Sequence, residues 1–259
     1  MDDNLIQSVC RASRILGLFS SFKSRWGISE ISEALKLNKG TVQGLVRTLT
    51  HERFLQQDGE TRKYRLGLRI YELGAVLAGS LEINQKSSIP AHQLAKRTKR
   101  LVRIAILDND SALVTLDAYP RSIPFLSPQF GPHAPLYCTA LGKAFLAFLE
   151  QREIDAYLKK VEFIPYTLNT IIKKNQLLRE VEETRKRGYS INREEHLLGR
   201  ASIGAPIFGQ EGKLVASICI VIDPIHLIGS EIEKLAREVK KTAYEISQLM
   251  GSYYRPMSL

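Results

Sequence analysis

The pattern of apolar and polar positions predicts two short helices joined by a tight turn in residues 28–50. The first helix has apolar residues at helical spacing: Ile28, Ile31, Ala34 and Leu35. Ser29 is placed to cap this helix, and Asn38 is placed to cap the second. The second helix has one apolar stripe, formed by Val42, Leu45, Val46 and Leu49. Its opposite face is polar and carries Lys39, Thr41, Gln43, Arg47 and Thr48.

Such a polar face suits a DNA major groove, because Lys, Thr, Gln and Arg hydrogen-bond base edges and phosphates. An ordinary amphipathic helical hairpin is the alternative for these two helices alone. The flanking segments favour DNA binding: a helix is predicted over residues 8–22 and a hairpin over residues 54–66. Asp58-Gly59 marks the turn of the hairpin, and Arg62 and Lys63 lie near its tip. Three helices and a hairpin with a basic tip make a winged helix-turn-helix.

Residues 67–84 predict a helix that is apolar around much of its circumference. The apolar positions are Leu68, Tyr71, Leu73, Val76, Leu77 and Leu81. A helix of this kind must be covered, either by its own domains or by the same helix of a second chain. We favour the second alternative, because DNA readers of this kind usually bind symmetric half-sites as dimers.

Beyond Ile89-Pro90 the pattern changes to an alternation of strands and helices. Helices are predicted at residues 91–99, 140–149, 153–160, 176–187 and 230–250. Strands are predicted at residues 101–108, 112–119, 123–127, 189–192, 201–208 and 213–222. A loop with three prolines, Pro128, Pro132 and Pro135, precedes the helix at 140. Strands joined by short turns, with helices at both ends, predict an α+β domain on an antiparallel sheet.

Charge narrows the class of partner. The 259 residues allow two modest domains, and their net charge of +10 favours an anionic partner, either nucleic acid or a membrane surface. Half of this excess lies between residues 36 and 69, where there are eight basic and three acidic residues. The charge is therefore concentrated in the predicted DNA-binding segment.

The remaining composition indicates an intracellular protein without a metal site. Cys10, Cys138 and Cys219 are widely separated and form no CxxC pair, so they indicate neither a disulfide framework nor structural zinc. Neither a signal peptide nor an apolar run of membrane-spanning length is evident. We therefore expect a cytoplasmic protein with no membrane partner and no cofactor.

Six stretches follow one another along nearly the whole chain. They are SVCRASRILGLF, LKLNKGTVQGLVRTLTHERFL, YRLGLRIYELG, YCTALGKAFLAFL, RKRGYSINREEHLLGRASIGAPI and GKLVASICIVI. Their order and spacing resemble the isocitrate lyase regulator (IclR) family of bacterial transcription regulators. The resemblance implies a winged helix-turn-helix DNA-binding domain (residues 1–66), a linker helix (67–86) and a GAF-like effector-binding and oligomerisation domain (87–259).

The resemblance also implies partners. It implies a double-stranded DNA operator, a homodimer that often pairs into a dimer of dimers, and operator affinity controlled by a small organic-acid effector. Repression is the commoner behaviour in the family, and activation of a catabolic operon is the alternative. The candidate DNA-binding residues are Ser29, Lys39, Gly40, Thr41, Gln43, Arg47, Arg62 and Lys63.

Within this set, Gln43 and Arg47 are the candidates for base contacts. The candidates for phosphate contacts are Lys39, Thr41, Arg62 and Lys63. Gly44 lies on the same face, although glycine inside a helix costs roughly 1 kcal/mol relative to alanine. Either a close approach of the DNA or simple tolerance explains it.

Carried over from the family, the candidate effector-binding residues are Ile123, Leu126, Ala140, Leu141, Asn192, Ser202, Cys219 and Val221. The helix at residue 140 makes independent physical sense, because free N–H groups at a helix N-terminus bind carboxylates. Thr139 is placed to cap this helix, which is also the ordinary role of such a residue. Lys143, one turn later, is either an added charge at the site or a solvated lysine.

Three departures from the family bear on the effector. Asn192 stands where many relatives have an aspartate, and Cys219 and Val221 stand where relatives often have a Ser-x-Ser pair. The pocket thereby loses hydrogen-bonding capacity and gains apolar surface. We therefore expect an effector that is larger or less polar than a keto acid of two or three carbons, such as an aromatic or branched carboxylate.

An enzyme fused to a DNA-binding module is the rival class. Glu194-Glu195-His196 is the only acid–histidine cluster, and it lacks the histidine pair of a metalloprotease helix. Cys138 lies near the predicted pocket, but a buried thiol is more often inert than nucleophilic. We therefore do not expect an enzyme. A third interpretation is a basic architectural DNA protein with a vestigial sensing domain.

Overall fold

The computed structural model describes residues 5–120 and 132–253, which divide into two compact units. The N-terminal unit ends at Ser80, and the C-terminal unit begins at Leu81. Among the described residues, no helix is both long enough and apolar enough to cross a membrane.

The N-terminal unit is a winged helix-turn-helix followed by one more helix. Its elements are α1 (Gln7–Leu16), α2 (Ile28–Leu35), α3 (Lys39–His51), β1 (Leu55–Gln57), β2 (Tyr64–Leu66) and α4 (Leu68–Ser80). The antiparallel strands β1 and β2 form the hairpin, which we call the wing. The core consists of Ile15, Ile31, Leu35, Val42, Val46, Leu49 and Leu55. The apolar stripe predicted for α3 therefore faces this core, with Leu45 half-buried at its edge.

The first two helices of this unit each differ from prediction in one detail. Helix α1 ends at Leu16 rather than at residue 22, at a point where Gly17 disfavours further helix. Ser29 does not cap α2: the N-cap residue is Gly27, and its N–H donates to the Glu30 carboxylate at 2.6 Å. Glu30 supplies the acceptor from within the first turn, so Ser29 lies exposed in that turn.

The turn of the wing is longer than the predicted Asp58-Gly59 pair. The strands end at Gln57 and resume at Tyr64, so six residues form the loop. One oxygen of the Asp58 carboxylate accepts hydrogen bonds from the N–H groups of Glu60 and Thr61 at 3.2 and 2.9 Å. The aspartate therefore organises a larger loop than a two-residue turn.

The helices around the unit boundary also differ from prediction. The helix predicted to run to residue 84 ends at Ser80, and α5 (Glu82–Thr98) begins well before residue 91. Pro90 lies inside α5, where it removes one backbone donor. The flanking residues Ile83, Ala91 and Leu94 are buried in the core of the C-terminal unit, so packing outweighs this cost. The domain limits at residues 66 and 86 stay predictions.

In the described part of the C-terminal unit, six antiparallel strands form one sheet in the order β5-β4-β3-β8-β7-β6. They are β3 (Leu101–Asp108), β4 (Ser111–Ala118), β5 (His133–Pro135), β6 (Ser190–Arg193), β7 (Ala201–Phe208) and β8 (Leu214–Ile222). The helices are α6 (Ala140–Phe148), α7 (Gln151–Lys160), α8 (Lys174–Arg187) and α9 (Gly229–Leu249).

The sheet has a helical layer on each face. One face packs on α5 and α9, and its core includes Ile104, Ile203, Ile218, Leu94 and Val239. The other face packs on α6, α7 and α8, and its core includes Cys219, Leu141, Phe145, Ile154 and Leu177. This arrangement confirms the predicted α+β fold.

One strand of the sheet was not predicted. The segment His133–Pro135 was predicted as part of the proline loop, yet it pairs with β4 as an edge strand. An edge position tolerates Pro135, which has no N–H to donate. The strand predicted at residues 123–127 lies outside the described residues.

Candidate nucleic-acid interface and effector site

The exposed face of α3 carries four of the candidate DNA-binding residues. The Asn38 side chain accepts the Thr41 N–H at 2.7 Å, which confirms it as the N-cap. Lys39, Gln43 and Arg47 follow at intervals of four, so they line one side of the helix, and all three are exposed. Gly40 is also exposed on this helix, whereas Thr41 is half-buried.

The fold of the N-terminal unit does not require a glycine at position 44, on the same face of α3. A Cβ added there would meet no atom within 4 Å, and its φ is not in the left-handed region. Neither packing nor backbone conformation therefore explains the glycine.

The wing carries both predicted basic residues, but their surroundings differ. Arg62 is exposed, with a left-handed backbone (φ 58°). Lys63 is half-buried, and its Nζ lies 3.3 Å from the Glu30 carboxylate at the start of α2. Lys63 therefore ties the wing to α2, while Arg62 is available to a ligand.

Glu30 joins three parts of the N-terminal unit. Its carboxylate accepts the Gly27 N–H and lies 3.2 Å from Lys23 Nζ as well as near Lys63. The Gly27 hydrogen bond, followed by the two lysines, lowers the pKa of Glu30 to about 2. On the other side of the wing, Arg25 lies 3.3 Å from Asp58. These ion pairs orient the wing relative to α2.

In the C-terminal unit the start of α6 lies directly on the sheet. The Thr139 hydroxyl accepts the Gly142 N–H at 3.0 Å, which confirms the predicted cap. The Ser190 hydroxyl donates to the Ala140 carbonyl at 2.6 Å, and a Cβ at Gly204 would approach that carbonyl to 2.9 Å. The N–H groups of Ala140 and Leu141, at the first positions of the helix, have no intrahelical acceptor.

Four of the candidate effector residues converge on the sheet face below α6. Asn192, Ser202 and Val221 are consecutive cross-strand partners on β6, β7 and β8. Cys219 lies two residues before Val221, hence on the same face, and pairs with Gly204. Ile123 and Leu126 lie outside the described residues.

Asn192 has a fixed orientation. Its Oδ1 accepts the Glu195 N–H at 2.8 Å, and both residues are almost fully buried. The amide oxygen is therefore engaged with the chain, and the Nδ2 group is the end that can donate to a ligand.

Lys143 is not a solvated lysine. Its side chain is 1% exposed, and its Nζ lies 2.6 Å from Glu195 Oε1 and 3.6 Å from Glu180 Oε1. Its charge is therefore engaged by carboxylates of the chain rather than free for a ligand. Sequence reasoning missed this pair, because 52 residues separate its members and Glu195 was noted only as part of an acid–histidine cluster.

Arg103 and Asp117 were also missed. Arg103 pairs in register with Cys219 on one side and Asp117 on the other, so all three share the face below α6. The signal in the sequence was the single basic residue inside the apolar strand LVRIAILD.

The thiols near the site are not activated. Burial raises the pKa of Cys138 and that of Cys219 to about 12, so both stay protonated near neutral pH. Burial, followed by the Arg103 charge, lowers the pKa of His196, which favours a neutral imidazole. In residues 5–120 and 132–253, no group of three or more His, Cys, Asp and Glu side chains could hold a metal ion.

Comparisons with known proteins agree with these two units. Residues 8–59 match the IclR helix-turn-helix domain, and residues 75–248 match the bacterial transcriptional regulator IclR C-terminal domain. The HTH-type transcriptional regulator XynR of Escherichia coli is 27% identical over 247 residues, which cover 95% of this chain and 98% of XynR.

Solved structures show the same fold. The IclR transcriptional regulator of Alicyclobacillus acidocaldarius is 26% identical, with a TM-score of 0.83 over 95% of this chain and 100% of that chain. An IclR homolog of Microbacterium hydrocarbonoxydans, complexed with 4-hydroxybenzoate, is 19% identical, with a TM-score of 0.79 over 94% of this chain and 99% of that chain. The family matches cover most of the sequence, and the chain belongs to the IclR family of bacterial transcription regulators.

Proposed function

We propose that the protein binds a double-stranded DNA operator through α3 and the wing, and that a small organic acid bound in the C-terminal unit controls this affinity. The observation that carries the proposal is the convergence of Asn192, Ser202, Cys219 and Val221 below the start of α6. A carboxylate with an apolar body suits this set of buried and half-buried groups, which lies beside helix N–H groups that have no intrahelical acceptor.

The DNA contacts divide by residue type. Gln43 and Arg47 read base edges, because their side chains project from the exposed face of α3. The contacts to phosphate come from Lys39, Thr41, Arg62 and Lys63. Ser29 and Gly40, at the starts of α2 and α3, lie close to the DNA backbone in the complex. The exposed positions of Lys39 and Arg62 support these roles, while Lys63 must share its charge with Glu30.

The effector contacts also divide. The N–H groups of Ala140 and Leu141, the Asn192 Nδ2 and the Ser202 hydroxyl bind the carboxylate. Cys219 and Val221 contact the apolar body, and Ile123 and Leu126 complete the site. An aromatic or branched acid fits this set better than a keto acid of two or three carbons. The 4-hydroxybenzoate bound by the Microbacterium homolog is an acid of the expected kind.

We propose that α4 pairs two chains, since an operator with two half-sites requires two reading heads. None of the described residues of α4 is buried, and Leu68, Tyr71, Val76 and Leu77 are each more than 60% exposed. Pairing would cover this apolar surface. A dimer of dimers is an additional level of assembly that the resemblance suggests.

The effector acts through linkage. An acid that binds one arrangement of the dimer more tightly shifts the population toward that arrangement. By linkage, the factor by which the acid changes operator affinity equals the factor by which the operator changes acid affinity. We propose repression that the acid relieves, and activation is the alternative outcome of the same experiment.

A thermal-shift screen of carboxylic acids on the full-length protein tests the proposal. Acids that raise the melting temperature are then tested by fluorescence anisotropy for their effect on binding to the DNA upstream of the chain's own gene. We expect a hit to change operator affinity by about fivefold or more.

Three other results would point elsewhere. Acids that bind without changing DNA affinity would remove the effector role. Equal, acid-independent binding to any duplex would favour the architectural DNA protein. Chemical conversion of a hit during incubation would favour an enzyme.

A further inference from the structure

We infer that the effector site has a second polar subsite, formed by Arg103 and Asp117, which recognises a second oxygen-bearing group at the far end of the effector. This inference rests on the proposed function and specifies its ligand. The effector would then be an acid with polar groups at both ends rather than at one.

The strand register gives the position of this subsite. Gly204, Cys219 and Arg103 are consecutive cross-strand partners on β7, β8 and β3, and Asp117 follows on β4. Gly204 lies directly under Ala140 at the start of α6. Adjacent strands are separated by about 4.8 Å, so Arg103 arises two strands, or roughly 10 Å, from the sheet position below the helix start.

In the contact between Arg103 and Asp117, one polar atom of each side chain has no hydrogen bond among the described residues. Arg103 Nε lies 3.2 Å from Asp117 Oδ1, but the contact is not aligned as a hydrogen bond. Both atoms are shielded from solvent and have no hydrogen-bond partner among the described residues. Buried donors and acceptors are normally hydrogen-bonded, and an unsatisfied one costs free energy. A polar ligand group that hydrogen-bonds to this pair would therefore contribute to binding free energy.

The side chains of Arg103 and Asp117 are both partly exposed to solvent. The Arg103 side chain is 31% exposed and that of Asp117 is 20% exposed. A guanidinium has five N–H donors in a planar fork, and one carboxylate contact does not use them all. Arg103 can therefore keep Asp117 and accept a ligand oxygen as well.

The groups that face Arg103 favour an added anion or hydroxyl. They are Asp117, Tyr119, His196 and Cys219. Burial favours the neutral forms of the histidine and the thiol, and burial also raises the pKa of Asp117 against the opposing effect of Arg103. Asp117 is the acidic group among these four, so it is the one that competes with a ligand for Arg103.

His196, which faces Arg103, belongs to an aromatic cluster. The Tyr166 ring meets His196 edge to face at a centroid distance of 4.8 Å, and Tyr166 stacks at 6.5 Å on Tyr137. An aromatic cluster of this kind suits a ligand with a flat apolar body. A keto acid of two or three carbons is too short to reach both the α6 start and Arg103, whereas a para-substituted aromatic acid spans them.

The competing interpretation is that Arg103 and Asp117 only brace β3 against β4. In that case their substitution lowers stability but leaves the discrimination between ligands unchanged. The ratio of two ligand affinities therefore separates the two interpretations better than either affinity alone.

Isothermal titration calorimetry on the full-length protein provides this ratio. The probes are benzoate, which has one polar end, and 4-hydroxybenzoate and terephthalate, which have two. We expect the wild type to bind a two-ended acid about tenfold more tightly than benzoate, as one charge-assisted hydrogen bond implies. Arg103→Gln should reduce the ratio to near one, while Arg152→Gln at an 80%-exposed site should leave it unchanged.

A second variant covers the case in which Arg103→Gln does not fold. Asp117→Asn removes the competing carboxylate at nearly constant size, so it should raise the affinity for terephthalate relative to benzoate. Unchanged ratios in these variants, or a wild type that binds all three probes equally, would overturn the second subsite and leave the proposed function standing. Failure of all three acids to bind the wild type would also overturn the second subsite, whereas the organic-acid effector itself is contradicted only if the thermal-shift screen finds no acid that binds.

Discussion

Lys143 and Glu195 form a 2.6 Å ion pair in which both side chains are almost fully buried. Lys143 lies in the first turn of α6, and Glu195 lies just after β6. Glu195 also donates its N–H to Asn192 and accepts the Arg193 N–H. The pair therefore holds the start of α6 and Asn192, two parts of the proposed effector site, in one fixed arrangement.

Removal of one partner should be costly. Lys143→Met leaves Glu195 buried without its cation, and we expect it to lower the free energy of unfolding by about 3–5 kcal/mol. Urea denaturation measures this loss. The exposed Lys159→Met is the control, and the double variant Lys143→Met/Glu195→Leu should recover most of the stability. A loss below about 1 kcal/mol for Lys143→Met would show that the pair is not a structural clamp.

The contribution of Glu30 to stability should depend on pH. Its pKa is lowered in the folded state, to about 2 from an ordinary value of 4.5, so its stabilisation is complete above about pH 5 and is lost as the pH falls toward 2. Glu30→Gln should therefore lower the melting temperature at pH 7. The difference from the wild type should shrink between about pH 5 and pH 2. A constant difference over that range would contradict the assignment.

Arg62 and Lys63 should differ in their effect on DNA binding, although they are adjacent. Arg62→Ala should lower the slope of log affinity against log salt by about 0.9, the value for one phosphate contact. Lys63→Ala should change the slope less, because Glu30 already engages its charge. Anisotropy titrations at several salt concentrations measure both, with Arg152→Ala as the control. Equal slopes for the two wing variants would show that the ion pair does not matter in the complex.

Gly44→Ala separates the two explanations of this glycine. A Cβ would meet no atom of the protein there, so the variant should be more stable by up to about 1 kcal/mol. If DNA approaches the helix backbone, the same methyl group should weaken operator binding. Increased stability with unchanged affinity would leave simple tolerance as the explanation.

Leu77→Glu tests the proposed pairing through α4. Leu77 is 61% exposed in the single chain, so the substitution should not unfold the N-terminal unit. A glutamate in a paired apolar surface is unfavourable, and sedimentation velocity should show a shift toward monomer, with weaker operator binding. Lys159→Glu is the control. An unchanged oligomeric state would place the contact between chains elsewhere.

The sequence predicted those elements whose apolar spacing matches their buried side. The stripe of Val42, Val46 and Leu49 defined α3, and the strands at 101–108 and 201–208 have the predicted limits. Element ends were less predictable. Pro90 indicated a boundary, but packing of α5 on the sheet carried the helix through it.

The polar interactions of the site were less accessible to sequence reasoning. Asn192 and Ser202 were named from the family resemblance, yet nothing local indicated that Asn192 is oriented by Glu195. Lys143 joins residues distant in sequence, and its burial follows only from the packing of α6 on the sheet. Arg103 was visible as a charge in an apolar strand, but its partners depend on the register of three strands.

Reciprocal titration tests most directly whether the organic acid and the operator change each other's affinity for the protein. Operator affinity is measured with and without a saturating acid hit, and acid affinity is measured with and without saturating operator. The two affinities should change by the same factor, about fivefold or more. A factor of one in both titrations would contradict this linkage.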